Sequence, residues 1–102
     1  MAKKRFKGDV RKEQILDTAI ILADAGHYTK VTRSDIAREL DITPPAVQHH
    51  FGTMEQLKRD LMRRAVSVGH ARVILQGLVA KDAHALKASD ELKEKALACL
   101  QC

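Results

Sequence analysis

Tryptophan is absent from these 102 residues, and two Phe and one Tyr hold the aromatic share to 3%. A core drawn from this chain is therefore aliphatic, built of Leu, Ile, Val and Ala. No apolar run approaches the ~20 residues that a membrane-crossing helix needs. The opening residues show no apolar stretch of the kind that marks a secretory signal. Together these absences predict a cytoplasmic chain with no membrane partner. Cysteine is scarce too: Cys99 and Cys102 stand three apart near the end. A zinc site needs four ligands, and no second Cys or His pair follows at finger spacing. Reduced thiols are the expectation in a cytosolic setting. His49 and His50 are adjacent, so on a helix they point about 100° apart and cannot chelate one metal. No nucleophile–base pair, phosphate loop or paired carboxylates stand out. The sequence predicts no enzyme, no cofactor and no metal.

Charge is present but unevenly placed. Residues 1–12 hold Lys3, Lys4, Arg5, Lys7, Arg11 and Lys12 against Asp9 alone, which accounts for the whole net charge of +5. This segment reads as a basic arm that lies along phosphates or reaches into a minor groove, with Lys3, Lys4, Arg5 and Lys7 as its contacts. A solubilising tail is the other use of such a composition.

The stretch Thr32 to Phe51 reads as a short helix, a tight turn and a second short helix. Thr32 is a good N-cap, and Asp35 can reach back to it. Ile36, Ala37 and Leu40 then share one face. Asp41 sits where the chain must reverse, and Asp tolerates the left-handed conformation better than most residues. Ile42 plugs the gap between the helices. Thr43 caps again, and Pro44 takes the first helical position, where its missing N–H costs nothing. Val47 and Phe51 face inward, which leaves Thr43, Pro44, Pro45, Gln48 and His49 outward. Two helices so joined, the second with a polar outer face, form a helix-turn-helix.

Residues 14–62, QILDTAIILADAGHYTKVTRSDIARELDITPPAVQHHFGTMEQLKRDLM, go beyond the generic motif. The Ile15–Leu16–Ala19 helix, Gly26 and Tyr28, Thr32 before Asp35–Ile36–Ala37, and Phe51 before Glu55 and Leu57 resemble the N-terminal DNA-binding domain of TetR-family bacterial regulators. The resemblance covers about half the chain. It departs at three places: the turn glycine is Asp41, the usual recognition-helix aromatic is Gln48, and the usual lysine after the Phe-containing turn is Met54. The last departure removes one phosphate contact that the resemblance would imply. Family members usually add a much larger helical domain that encloses an inducer. The tail here is too short to surround a pocket of several hundred Å3, so a small-molecule inducer is not expected.

The flanking segments follow from periodicity. Helix 1 is expected from Arg11 to Ala25, with Ile15, Leu16, Ala19, Leu22 and Ala23 inward and an acidic outer face of Glu13, Asp17 and Asp24. Gly26 ends it, and Tyr28 is expected to cover the small core. Thr53 and Gln56 are spaced as a capping box for another helix, with Leu57, Leu61, Ala65 and Val68 inward. Gly69 and Gly77 each weaken a helix by up to ~1 kcal/mol, and one of them is expected at a bend. Ser89 is a cap for a last helix, Asp90 to Leu100, with Leu92 and Ala96 inward. Ile74, Leu78, Leu92 and Leu100 are more apolar surface than so small a monomer readily hides, and predict a homodimer seam.

The expected architecture is all-α: an arm over residues 1–12, a helix-turn-helix region over 13–52, and a helical dimerisation region over 53–102, all within one compact domain. The expected function is sequence-specific binding of double-stranded DNA at a palindromic operator by a bacterial, nucleoid-associated homodimer. Thr32, Arg33, Thr53 and Lys58 would hold phosphates. Thr43, Pro44, Pro45, Gln48 and His49 would face bases, with Gln48 suited to a bidentate pair with adenine. Repression by promoter occupancy is the leading expectation. Activation is the alternative of the same kind, and a protein-binding helical module the alternative of another.

Overall fold

The computed structural model describes residues 7–99. They form α1 (Lys7–Ala25), a 3-10 turn (Tyr28–Lys30), α2 (Arg33–Leu40), α3 (Pro44–Phe51), α4 (Met54–Val68), α5 (Ala71–Val79), α6 (Ala83–Leu86) and α7 (Asp90–Ala98). Among the described residues there is no strand. The class is all-α, a helix-turn-helix followed by further helices. Lys3, Lys4, Arg5, Leu100 and Cys102 lie outside the described residues.

Local chemistry sets most helix ends. The Thr32 hydroxyl accepts from the Asp35 N–H at 3.2 Å, and the Asp35 carboxylate accepts from the Thr32 N–H at 3.3 Å, closing a reciprocal cap on α2. Asp41 ends α2 in the left-handed region, at φ 55° and ψ 45°. Thr43 caps α3 through the Ala46 N–H, and Pro44 follows at the helix start. Ser89 caps α7 through the Leu92 N–H. Gly69 closes α4 at φ +70° and so marks the sharp change of direction into α5.

One aliphatic core joins all of these elements. Ile15, Ala19 and Ala23 of α1, Ile36 and Ala37 of α2, and Val47 and Phe51 of α3 are buried with Leu57, Leu61, Met62 and Ala65 of α4. Val73 and Ile74 of α5, Ala85 and Ala96 continue the same cluster. Each full-sized member contributes about 1.5–3 kcal/mol by leaving water. Residues 13–52 and 53–99 therefore share a core. Tyr28 is buried, as expected of a cover; burial first and Asp82 second raise its phenol above the ordinary value.

Several local expectations change. Helix α1 begins at Lys7, not Arg11. Only Gly8 opposes this, at ~1 kcal/mol, and Asp9 suits the positive helix start. Lys7, Arg11 and Lys12 are therefore helical residues. Gln56 does not complete a capping box: Thr53 accepts from the Gln56 N–H, but the Gln56 amide turns to Asp60 at 3.3 Å. Val68 is 55% exposed, because the inward stripe of α4 ends at Ala65. The acidic face of α1 is not simply solvated. Asp17 accepts from Arg64 Nε at 3.1 Å, and Asp24 lies 3.4 Å from Arg72 Nε and 3.7 Å from His70 Nε2. Gly77 makes no bend. It lets α5 approach α4 and α6, since a Cβ there would lie 2.6 Å from Ala85 Cβ and 2.7 Å from Met62 Cε.

Ile74 is the main correction in the tail. It is 0% exposed and belongs to the chain's own core, so it has no surface to offer a second copy. Leu78 and Leu92 are half-buried against that core. The tail's well-exposed apolar residues are Val79, Leu86 and Leu97. Periodicity alone could not separate these sets, because α5 is packed on α4, α6 and α7 at once.

Candidate nucleic-acid interface

The outward face of α3 follows from the inward one. Val47 and Phe51 are a single turn apart and buried, which fixes the rotation of this eight-residue helix. Thr43, Pro44, Pro45, Gln48 and His49 are all exposed as a result. The helix is about 12 Å long, a length that fits within a major groove. Gln48 brings a carboxamide with donor and acceptor side by side, while Pro44 and Pro45 offer only apolar contact.

Two helix starts flank this face. The Arg33 guanidinium, on the first turn of α2, donates from Nη2 to the Gly52 carbonyl at 3.1 Å. This bond spans 19 residues and draws the start of α2 toward the start of α4. Gly52 caps α3 at φ +72°, a backbone region that favours glycine, and its N–H donates to the Gln48 carbonyl at 2.7 Å. Thr32 and Thr53 accept cap bonds through their hydroxyl oxygens, so each O–H is left to donate outward. Both helix starts also present backbone N–H groups and the positive end of the helix dipole. Thr32, Arg33 and Thr53 are thus brought together by the fold. Lys58 stands further along α4 and is half-buried.

A feature that sequence reasoning missed lies in the last turn of α3. His49 and His50 meet edge to face, with ring centroids 5.4 Å apart. His50 is half-buried and His49 exposed. Helix α1 packs on α3, and Arg11 and Lys12 stand on its first turns. Burial, then His49, Lys12 and Arg11 in that order, lower the His50 imidazole below its ordinary value. The available signal was register: Arg11 and Lys12 stand one turn before Ile15, which shares the core with Val47 and Phe51.

The remaining features carry less chemistry. Among the described residues, no group of three or more His, Cys, Asp or Glu stands together to hold a metal. Among the same residues, no helix is long and apolar enough to cross a membrane. Cys99 is a free, half-buried thiol. A surface hollow of about 330 Å3 lies between the end of α1, the 3-10 turn and the start of α2; Leu22, Val31, His27, Lys30 and Asp35 line it, and no residue of α5–α7 does.

A capped short helix, a left-handed turn at Asp41 and a second short helix with a polar outward face define the class: a helix-turn-helix nucleic-acid-binding unit. Residues 15–61 match the family described as bacterial regulatory proteins, tetR family. This stretch is a TetR-family helix-turn-helix DNA-binding domain, and the chain is a DNA-binding transcriptional regulator. The match ends at Leu61, inside α4, so α5–α7 lie beyond it. No curated protein and no solved structure matches the chain.

Proposed function

We propose that this protein is a cytoplasmic, homodimeric repressor that occupies a palindromic operator and blocks transcription without a small-molecule inducer. The observation that carries the reading is the exposed polar face of α3, held between two helix starts by the Arg33–Gly52 bond. Gln48 reads a base edge, and Thr43, Pro44, Pro45 and His49 complete the contact with the groove. Thr32, Arg33, Thr53 and Lys58 hold phosphates on either side. Lys3, Lys4 and Arg5 extend the phosphate contact from the N-terminal arm, and Lys7 adds to it from the start of α1. One short recognition helix buries few base contacts, and a two-fold pair about 34 Å apart doubles them. The tail supplies the pairing surface through Leu78 and Leu92 together with exposed Val79 and Leu97.

Footprinting the purified protein on DNA flanking its own gene tests this reading, because small repressors are well placed to control themselves. The expected result is a protected site of two inverted halves, with sedimentation showing two chains per site. Protection of a single half-site by a monomer would contradict the dimeric part. A protected site that raises transcription in a reporter would replace repression with activation.

A further inference from the structure

We infer that Gln76 of α5 is a positioning residue for DNA recognition. Its amide clasps the end of α1 and the 3-10 turn, fixes the angle between the DNA-binding helices and the tail, and so sets the half-site spacing that the dimer accepts. This inference rests on the homodimeric reading proposed above and names the residue that determines spacing within it. Gln76 lies outside the family match, which ends at Leu61. Arg72 and Gln76 are the two polar side chains of α5, and they stand one turn apart on the side that meets α1. The three hydrogen bonds of the Gln76 amide all cross to the DNA-binding helices. Its Oε1 accepts from the Tyr28 N–H at 2.9 Å, and its Nε2 donates to the Ala23 carbonyl at 2.8 Å and the Gly26 carbonyl at 3.4 Å. A helix leaves its last carbonyls without partners of its own, and here α5 supplies them to α1.

Ion pairs brace the same joint. Asp24, in the last turn of α1, lies 3.4 Å from Arg72 Nε and 3.7 Å from His70 Nε2. The 3-10 turn runs directly into the Thr32 cap of α2, and α2 packs on α3. The corner that Gln76 grips is therefore the corner that orients the recognition helix. The shared apolar core holds the two halves together, but apolar burial is non-directional and tolerates small rotations. Hydrogen bonds weaken steeply as they bend, so the amide selects one angle. That angle has a long lever. The described residues extend 37 Å along their longest axis. Over about half of that length, a turn of about 10° moves α3 by about 3 Å, close to the rise of one base pair, about 3.4 Å. The two-fold repeats the shift in the second copy.

Selection of the full chain against a pool of random-sequence duplexes reads half-site sequence and spacing in one experiment. Wild type is expected to enrich inverted halves at a single spacing. Gln76→Met keeps the length and bulk of the side chain and makes none of the three bonds. It should enrich the same half-site sequence at spacings that spread to either side. By gel shift, wild type should prefer its own spacing over a duplex one base pair longer by about tenfold, a loss comparable to one mismatched pair; in Gln76→Met the preference should fall below about twofold. Affinity for an isolated half-site should stay that of wild type, because no contact to DNA changes. Gln76→Glu keeps the acceptor for the Tyr28 N–H and loses both carbonyl bonds; it is read in the same way if circular dichroism shows the Met variant unfolded. A role confined to stability would weaken every duplex alike. An unchanged spacing preference in the folded variant would therefore overturn the inference and leave the dimeric reading intact. Wild type that enriches inverted halves at several spacings would do the same. Enrichment of single half-sites only would overturn both.

Discussion

Helices α3 and α5 are nearly equal in length, at eight and nine residues, yet they meet water differently. Helix α3 buries Val47 and Phe51 and shows only polar or proline side chains along its outward face. Helix α5 buries Val73 and Ile74, leaves Leu75 and Leu78 half-covered, and exposes Val79 at 73%. The first pattern is finished for a hydrated, polar partner such as a duplex. The second leaves apolar surface of the kind that another protein surface covers. The ends of the two helices differ in the same sense. Thr43 caps α3 through its hydroxyl, whereas no side chain caps α5 at His70. Helix α5 is held instead by tertiary bonds. The Gln76 amide donates to the Ala23 carbonyl at 2.8 Å and accepts from the Tyr28 N–H at 2.9 Å.

The sharpest test of the contrast within the tail compares Ile74→Asp with Leu97→Asp. Ile74 is fully buried, so a carboxylate there costs several kcal/mol, enough to unfold a small domain. Circular dichroism at ambient temperature should show loss of helix. Leu97 is 50% exposed, and its Asp variant should stay folded while shifting sedimentation from dimer to monomer. A dimer that tolerates this change would move the seam elsewhere on the molecule. The same monomer should bind a two-fold operator far more weakly than wild type.

Two smaller effects probe each helix separately. Gln48→Ala should weaken specific binding by about 1–3 kcal/mol and relax preference at one base pair per half-site, read by gel shift over operator variants. Gly77→Ala should destabilise the fold by about 1–3 kcal/mol, because the added methyl meets Ala85 Cβ and the Met62 side chain. Urea denaturation reads this directly, and unchanged stability would mean that Met62 and α6 move aside at little cost.

These contrasts also separate what the sequence makes legible from what it hides. The caps at Thr32, Thr43 and Ser89 and the left-handed Asp41 depend on neighbours within a few residues, so local reading finds them, whereas the choice between Gly69 and Gly77 for the bend needed the packing of α5 on Met62 and Ala85. The outward set on α3 follows from two anchors, Val47 and Phe51, and is equally local. The Asp17–Arg64 pair spans 47 positions and the Gln76–Tyr28 bond 48, and no local pattern announces either. Helix α6 is four residues long, too short for periodicity, although Asp82 before Ala83 was a usable cap signal. The sequence places Ile74 in a seam between copies because periodicity marks a residue as inward without saying which neighbour covers it. The electrostatic influence of Arg11 and Lys12 on His50 needed the packing of α1 on α3, which only the folded structure shows.

The central claim is that the outward face of α3 and its flanking cations bind duplex DNA. Its most direct test is a titration of the full chain against a fluorescent mixed-sequence duplex across a salt series. The account predicts binding that falls steeply and linearly on a log–log plot, with a slope of about −0.9 for each phosphate contacted. Failure to bind duplex at low salt, or binding indifferent to salt, would contradict it.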